Sequence, residues 1–144
     1  MNPRLGERVL SSQKYTPRPG VYAFLPRGNK VLLTRQLCEI PEIQLPGGGI
    51  DPGEAILPAL HREVMEETGW SITRARRLGL YRRFVYMPEY DLWAEKICHI
   101  YTAAPVNKVA DPADSEHEVV WADRSVAVSV LTSQADQAFL SSVL

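Results

Sequence analysis

Cysteine is scarce in this chain: Cys38 and Cys98 are the only two in 144 residues, and they show no Cys-x-x-Cys spacing. A single disulfide between them is one option. Reduced thiols in the cytosol are the expected state, so a cytoplasmic protein is expected. An excess of positive charge is also missing. Lys and Arg number 16 against 17 Asp and Glu, for a formal net charge of −1. No global positive field draws in DNA, RNA or an anionic membrane, so an anionic ligand must be caught locally. Long apolar runs are absent as well. The first twenty residues carry Arg4, Arg8, Lys14 and Arg18, which sets the expectation of no secretory signal, and no stretch is long enough to span a bilayer. There is no internal repeat and no low-complexity linker. The histidines His61, His99 and His117 show no ligand spacing and are read as structural or exposed.

What is present is an ordinary globular composition, 45% hydrophobic and 23% charged, in a length that buries a core without staples. Residues 1–144 are expected to form one domain. Residues 1–18, broken by Pro3 and Pro17, are expected to be an irregular arm. Val21–Leu25 and Val31–Thr34 read as strands joined by the turn residues Pro26 to Asn29. Ile43–Leu45 reads as a short strand running into Pro46 and three glycines. A helix is expected to start at Glu54 or Ala55, with Pro58 in its first turn, where a missing N–H has no partner to lose. Its apolar stripe is Ile56, Leu60 and Val64, and Gly69 fits the residue just past its end. Leu80–Tyr86 and Trp93–Thr102 read as longer strands, and Val119–Trp121 as a short one. Ser133 with Asp136 resembles a capping box that opens a last helix, whose core face is Ala135, Phe139 and Val143. This order predicts an α/β fold with a mixed sheet between helices.

The segment from Gly48 to Trp70 carries the most information. A glycine turn precedes the helix, and Glu63, Glu66 and Glu67 then fall on one stretch of it. Residues three and four apart share a helix face, so Glu63 lies beside both other glutamates and three like charges repel. A hard divalent cation held by carboxylate and carbonyl oxygens makes the arrangement favourable. The plain alternative is a solvated acidic face. Gly47, Gly48 and Gly49 are either a flexible turn or a place where backbone must approach metal or phosphate closely.

The same segment resembles the signature of the Nudix hydrolases. Its fixed positions are matched by Gly48, Glu54, Arg62-Glu63, Glu66-Glu67 and Gly69, with Val64 at the aliphatic position. Seven fixed residues at ordinary frequencies coincide by chance in about one window in 10⁸. Trp70 departs from the family's aliphatic preference. The resemblance implies an α/β/α sandwich with a mixed sheet. It implies cleavage of a phosphoanhydride in a nucleoside diphosphate derivative by water, with Mg²⁺ or Mn²⁺ as cofactor. Glu63, Glu66 and Glu67 are then the catalytic metal ligands, joined by the backbone carbonyl of Gly47. Glu63 or a downstream glutamate takes the proton from water. Arg62 and Glu54 support the carboxylates, and Gly48 and Gly49 lie against the substrate. A further acidic ligand is expected just before a late strand with tryptophan: Glu116, with Glu118 and Asp114 as alternatives. A small nucleotide is the implied partner, nucleic acid and membrane are not, and a homodimer fits the family.

Outside the signature the candidates are individual. Arg35, at the end of the second strand, is a candidate to grip phosphate bidentately, with a solvated surface position as the alternative. Arg82 and Arg83 alternate along a strand, so at most one faces the site. Tyr22, Phe24, Phe84, Tyr86 and Trp93 are candidates to stack on a base or to sit in the core. Subgroup signatures give little. The NADH-cleaving and coenzyme A patterns fail, an ADP-ribose-type proline is replaced by Val85, and Tyr86 fits the diadenosine polyphosphate pattern loosely. A non-catalytic Nudix-like nucleotide sensor is the competing class, and an intact set of signature glutamates weighs against it.

Overall fold

One strand organises the molecule. In the computed structural model, which describes residues 3–144, strand β2 runs Thr16–Arg27 and exposes opposite faces to two separate cores. Successive strand residues point to opposite faces. Val21, Ala23 and Leu25 therefore enter one hydrophobic cluster with Ala59, Leu60 and Val64, while Phe24 enters the other with Tyr81, Phe139 and Leu140. Strand β3 (Lys30–Gln36) divides the same way, Leu32 to the first cluster and Val31 and Leu33 to the second. Helix α1 (Ile56–Thr68) covers one face and helix α2 (Gln134–Val143) the other. The expected sheet between helices is thus the observed arrangement.

The remaining elements are β1 (Arg4–Leu5), β4 (Glu42–Gln44), β5 (Gly47–Gly49), β6 (Trp70–Met87), β7 (Leu92–Lys108) and β8 (His117–Asp123). The central path is β1-β6-β7-β2-β3-β4, with β5 added to β2 and β8 to β3. Pairs β1–β6 and β2–β7 are parallel and the others antiparallel, so the sheet is mixed. Within residues 1–18, Arg4 and Leu5 pair with Arg82 and Arg83, and Thr16 already belongs to β2.

Several strands are longer than the sequence suggests, because paired neighbours continue the ladder past the apolar runs. Three differences matter for the site. The glycine segment 47–49 is a strand, pairing Gly47 with Tyr22, Gly48 with Val21 and Gly49 with Gly20. A Cβ on Gly47 would lie 2.1 Å from the Val21 carbonyl oxygen and 2.6 Å from Tyr22 Cα, so only glycine permits this approach. Helix α1 begins at Ile56, with Ala55 still extended as its N-cap. Its far end follows expectation: Gly69 is left-handed at φ +75 and donates its N–H to the Met65 carbonyl. In α2, Ser133 Oγ accepts from the Asp136 N–H as expected, but Leu140 is buried where Val143, at the helix end, is exposed.

Candidate active site

Helix α1 is fixed on its apolar side by Leu60 and Val64, both fully buried. That fixes the direction of Glu63, Glu66 and Glu67 on the same helix. Arg62 is the hub of the first group. Its Nε and Nη2 donate to the two oxygens of Glu54 at 2.8 Å each, a bidentate pair. The same guanidinium reaches Glu63 at 3.0 Å, Glu66 at 3.4 Å, Asp51 at 3.6 Å and the Gly49 carbonyl at 3.1 Å. The hydrogen bonds from Arg62 hold the Glu54 carboxyl well below the usual range, at about 2. One guanidinium thus faces the carboxylates of Asp51, Glu54, Glu63 and Glu66. Negative charge is left over, and burial raises the Glu63 pKa despite Arg62.

Glu67 lies deeper, its residue 6% exposed. The Gly47 N–H donates to its Oε1 at 3.1 Å, so the tight glycine strand delivers a backbone donor to this carboxylate. Burial, set against that hydrogen bond and reinforced by neighbouring carboxylates, pushes the Glu67 pKa up to about 8. Facing Oε2 at 3.6 Å is Nε2 of His117, whose Nδ1 lies 2.8 Å from Asp114 Oδ2. One ligand atom from each of Glu67, Asp114 and His117 can be chosen so that all lie within 4.8 Å of one another. Glu63 and Glu67, crowded carboxyls whose pKa values burial raises, fit a divalent cation, which would lower them again. Mg²⁺ or Mn²⁺ suits the oxygen donors of Glu63, Glu66 and Glu67.

Glu67, Gly47, Gly48 and His117 border an open cavity of about 640 Å³, a volume in the range of small-molecule sites. Farther round its wall are Tyr22, Tyr81, Arg83, Lys96 and Asp136. The Tyr81 hydroxyl donates to Asp136, whose pKa burial raises. Arg83 is held by two hydrogen bonds to Glu7, at 2.7 and 3.0 Å.

The candidates from the sequence are distributed unevenly. Glu63 lies against Gly48 with its side chain 15% exposed, and the Glu66 side chain is open to solvent at 47%; neither lines the cavity. Gly49 is exposed and engages Arg62 through its carbonyl. Arg35 is not on the cavity wall; it pairs with Glu118 at 2.6 Å across β3 and β8. Tyr86 is exposed beyond the cavity and donates to Asp91 at 2.6 Å. Glu116 is exposed as well, its N–H capping Asp114 Oδ1 at 2.9 Å, so the turn that carries it aims Asp114 at Glu67. Of the paired arginines Arg83 faces the cavity, and of the candidate stacking rings Tyr22 does. The reading of His117 as structural or exposed is corrected: it lines the cavity beside Glu67. Spacing could not reveal it, because Glu67 is fifty residues away on α1. Tyr81 and Asp136 were missed too; a capping aspartate gives no signal that its side chain turns into a cavity.

The glycine strand makes one prediction. A Cβ on Gly48 would meet the Glu63 carboxylate at 2.5 Å. That is the flexible end of a side chain, so Gly48→Ala should fold with a loss of about 1 kcal/mol or less. Displacing the carboxylate should lower turnover at least about tenfold. Equal turnover in the two proteins would show that the Glu63 position does not matter.

Comparison with known proteins agrees with this geometry. A Bacillus subtilis (strain 168) protein with the provisional name 8-oxo-dGTP diphosphatase is 35% identical over 74 residues, which span 51% of this chain and 50% of that protein. The chain thus matches about half the length of that curated relative. Among solved structures, a MutT protein from Methanosarcina mazei Go1 superposes with a TM-score of 0.72 at 21% identity, covering 91% of this chain and 95% of that one. A NUDIX hydrolase from Nitrosomonas europaea gives 0.71 at 20% identity, over 88% and 87% of the two chains. A MutT NUDIX hydrolase from Burkholderia pseudomallei gives 0.69 at 24% identity, over 90% and 99%. These likenesses establish the fold. The family model of the NUDIX domain matches residues 16–140, and the chain belongs to the NUDIX family.

Proposed function

We propose that this protein is a metal-dependent pyrophosphohydrolase that cleaves the phosphoanhydride of a nucleoside diphosphate derivative by attack of water. The observation that carries the reading is Glu67: a carboxylate 6% exposed, anchored by the Gly47 N–H and bordering a cavity large enough for a nucleotide. A buried carboxylate with a strongly perturbed pKa in a cleft marks a functional site. A bound Mg²⁺ or Mn²⁺ would draw in the anionic substrate, polarise phosphorus and acidify water. Glu63, Glu66 and Glu67 are the proposed ligands, with Gly47 beside them. Arg62, tied to Glu54, holds Glu63 through Oε1 and Glu66 through both carboxylate oxygens. Among the acidic residues before β8, Asp114 now replaces Glu116 as the nearest to Glu67. The far wall, with Tyr22, Tyr81 and the Asp136 carboxyl, is the proposed seat of the nucleobase, where a ring is covered by aromatics and its edge meets a buried polar group. The Bacillus subtilis relative makes 8-oxo-dGTP the first compound to try.

The test is phosphate and pyrophosphate release from a panel of canonical and oxidised nucleoside triphosphates, ADP-ribose and diadenosine polyphosphates, with Mg²⁺, with Mn²⁺ and with chelator. Metal-dependent turnover of at least one compound is expected. Tight nucleotide binding without turnover of any would replace the hydrolase with a sensor. A second expectation needs no substrate. Because a ligand that binds only the folded state stabilises it by mass action, millimolar Mg²⁺ should raise the melting temperature by roughly 2–5 °C. An unchanged melting curve would contradict a preformed site.

A further inference from the structure

His117 and Glu67 face each other at 3.6 Å with no hydrogen bond between them. Asp114 Oδ2, 2.8 Å from Nδ1 of His117, is a carboxylate oxygen and can only accept, so Nδ1 carries the hydrogen. In the neutral ring Nε2 is then a bare lone pair. It points at Oε2 of Glu67, 3.6 Å away, while Oε1 of that carboxylate takes the Gly47 N–H. Both side chains are about nine-tenths buried, 10% and 8% exposed, yet both border the cavity. The separation is too long for a hydrogen bond, so neither atom satisfies the other.

We infer that Nε2 of His117 and Oε2 of Glu67 are two donors of one mixed nitrogen–oxygen cation site. Two atoms that each lie ~2.1 Å from one ion stand at most ~4.2 Å apart, so the observed 3.6 Å already fits. Asp114 is the positioning residue. Its Oδ1 accepts from the Glu116 N–H at 2.9 Å, its own N–H donates to the Glu66 carbonyl at 3.0 Å, and its carbonyl accepts from the His117 N–H at 3.3 Å. It is therefore anchored to both α1 and β8. A carboxylate behind the imidazole is how metal-bound histidines are oriented and made more basic. The nitrogen donor changes which ion is preferred. Mg²⁺ seeks oxygen, whereas Mn²⁺, Co²⁺ and Zn²⁺ accept imidazole readily. The site should accordingly favour a first-row transition ion over Mg²⁺. The inference deepens the hydrolase reading, since Glu67 is common to both.

The test binds Mn²⁺ to the metal-stripped full chain without nucleotide and records pulsed electron paramagnetic resonance. Nitrogen modulation is expected, with the frequency changing when histidine is labelled with ¹⁵N. No substitution enters that step, so folding of a variant is not at issue. In His117→Gln the modulation should vanish and Mn²⁺ affinity fall about 10–100-fold, while Mg²⁺ affinity changes less than about threefold. Asp114→Asn should keep the modulation but weaken Mn²⁺ binding, as a misoriented ring would. Bound Mn²⁺ without histidine modulation overturns the inference, and so does a signal that survives in His117→Gln or a failure of Mn²⁺ to bind. Hydrolysis of the nucleotide panel by the wild type with Mg²⁺ or Mn²⁺ is scored separately and decides the hydrolase reading whichever result is found.

Discussion

Glu67→Gln is expected to lower turnover at least about 100-fold, the scale set by loss of one preorganised electrostatic contact at a reacting centre, while making the metal-free protein more stable. The two effects have one cause. Glutamine keeps an oxygen for the Gly47 N–H but removes a charge that burial and its neighbours oppose. The pH dependence has a definite sign. The Glu67 pKa is raised from 4.5 to about 8 on folding, chiefly by burial. Its contribution to stability is therefore fully present below the unfolded value, declines between pH 4.5 and about 8, and is lost above that. The variant does not titrate there. In chelator the two proteins should melt together near pH 4, and the variant should melt roughly 5–10 °C higher at alkaline pH. Added Mg²⁺ should close that gap by raising the wild type. Equal melting temperatures in chelator at high pH would show that the carboxylate is not held against an opposing environment. A wild-type rate in Glu67→Gln would remove it from the chemistry.

Gly69→Ala is expected to cost at least about 3 kcal/mol and to lower the melting temperature by roughly 10 °C. Gly69 ends α1 in the left-handed region, at φ +75, and a Cβ there would lie 1.8 Å from the Ala110 carbonyl oxygen. That obstacle is backbone and cannot rotate away. The Gly69 carbonyl also accepts from the N–H groups of Val109 at 2.8 Å and Ala110 at 3.2 Å. Moving this segment would carry residues 109–116 off the helix end, and Asp114 with them. The variant should therefore lose metal affinity as well as stability. Gly53→Ala is the internal control. Gly53 is also left-handed, at φ +80, but its Cβ would meet nothing within 4 Å, so only the conformational cost of about 1 kcal/mol applies. Equal losses in the two variants would mean that the fit against Ala110 is not what requires glycine.

What could be read from the sequence was whatever is local. The stripe of Leu60 and Val64, the left-handed Gly69, the Ser133 cap and the crowding of Glu63, Glu66 and Glu67 all follow from helical spacing and short-range hydrogen bonding. The order of strands around a central helix, with a second helix at the end, implied a mixed sheet between helices. Illegible were the contacts that chain topology creates. Three glycines look like a turn until β2 is alongside, and only the approach to Val21 and Tyr22 makes them a strand. His117 meets Glu67, fifty residues earlier, only because the 109–116 segment is tied to the end of α1. Arg35 looks free on its strand, but antiparallel pairing sets Glu118 opposite it. Asp136 is a helix cap in sequence and a cavity group in space, because α2 crosses above Tyr81.

On the proposed function, the carboxylates of α1 gather to hold a cation. Crystals soaked in Mn²⁺ and recorded at a wavelength where manganese scatters anomalously address it directly. A strong anomalous peak is expected within coordination distance of the Glu67 carboxylate, lost in Glu67→Gln crystals grown and soaked alike. A clean map around Glu63, Glu66 and Glu67 at saturating Mn²⁺, with and without a nucleotide analogue, would contradict it.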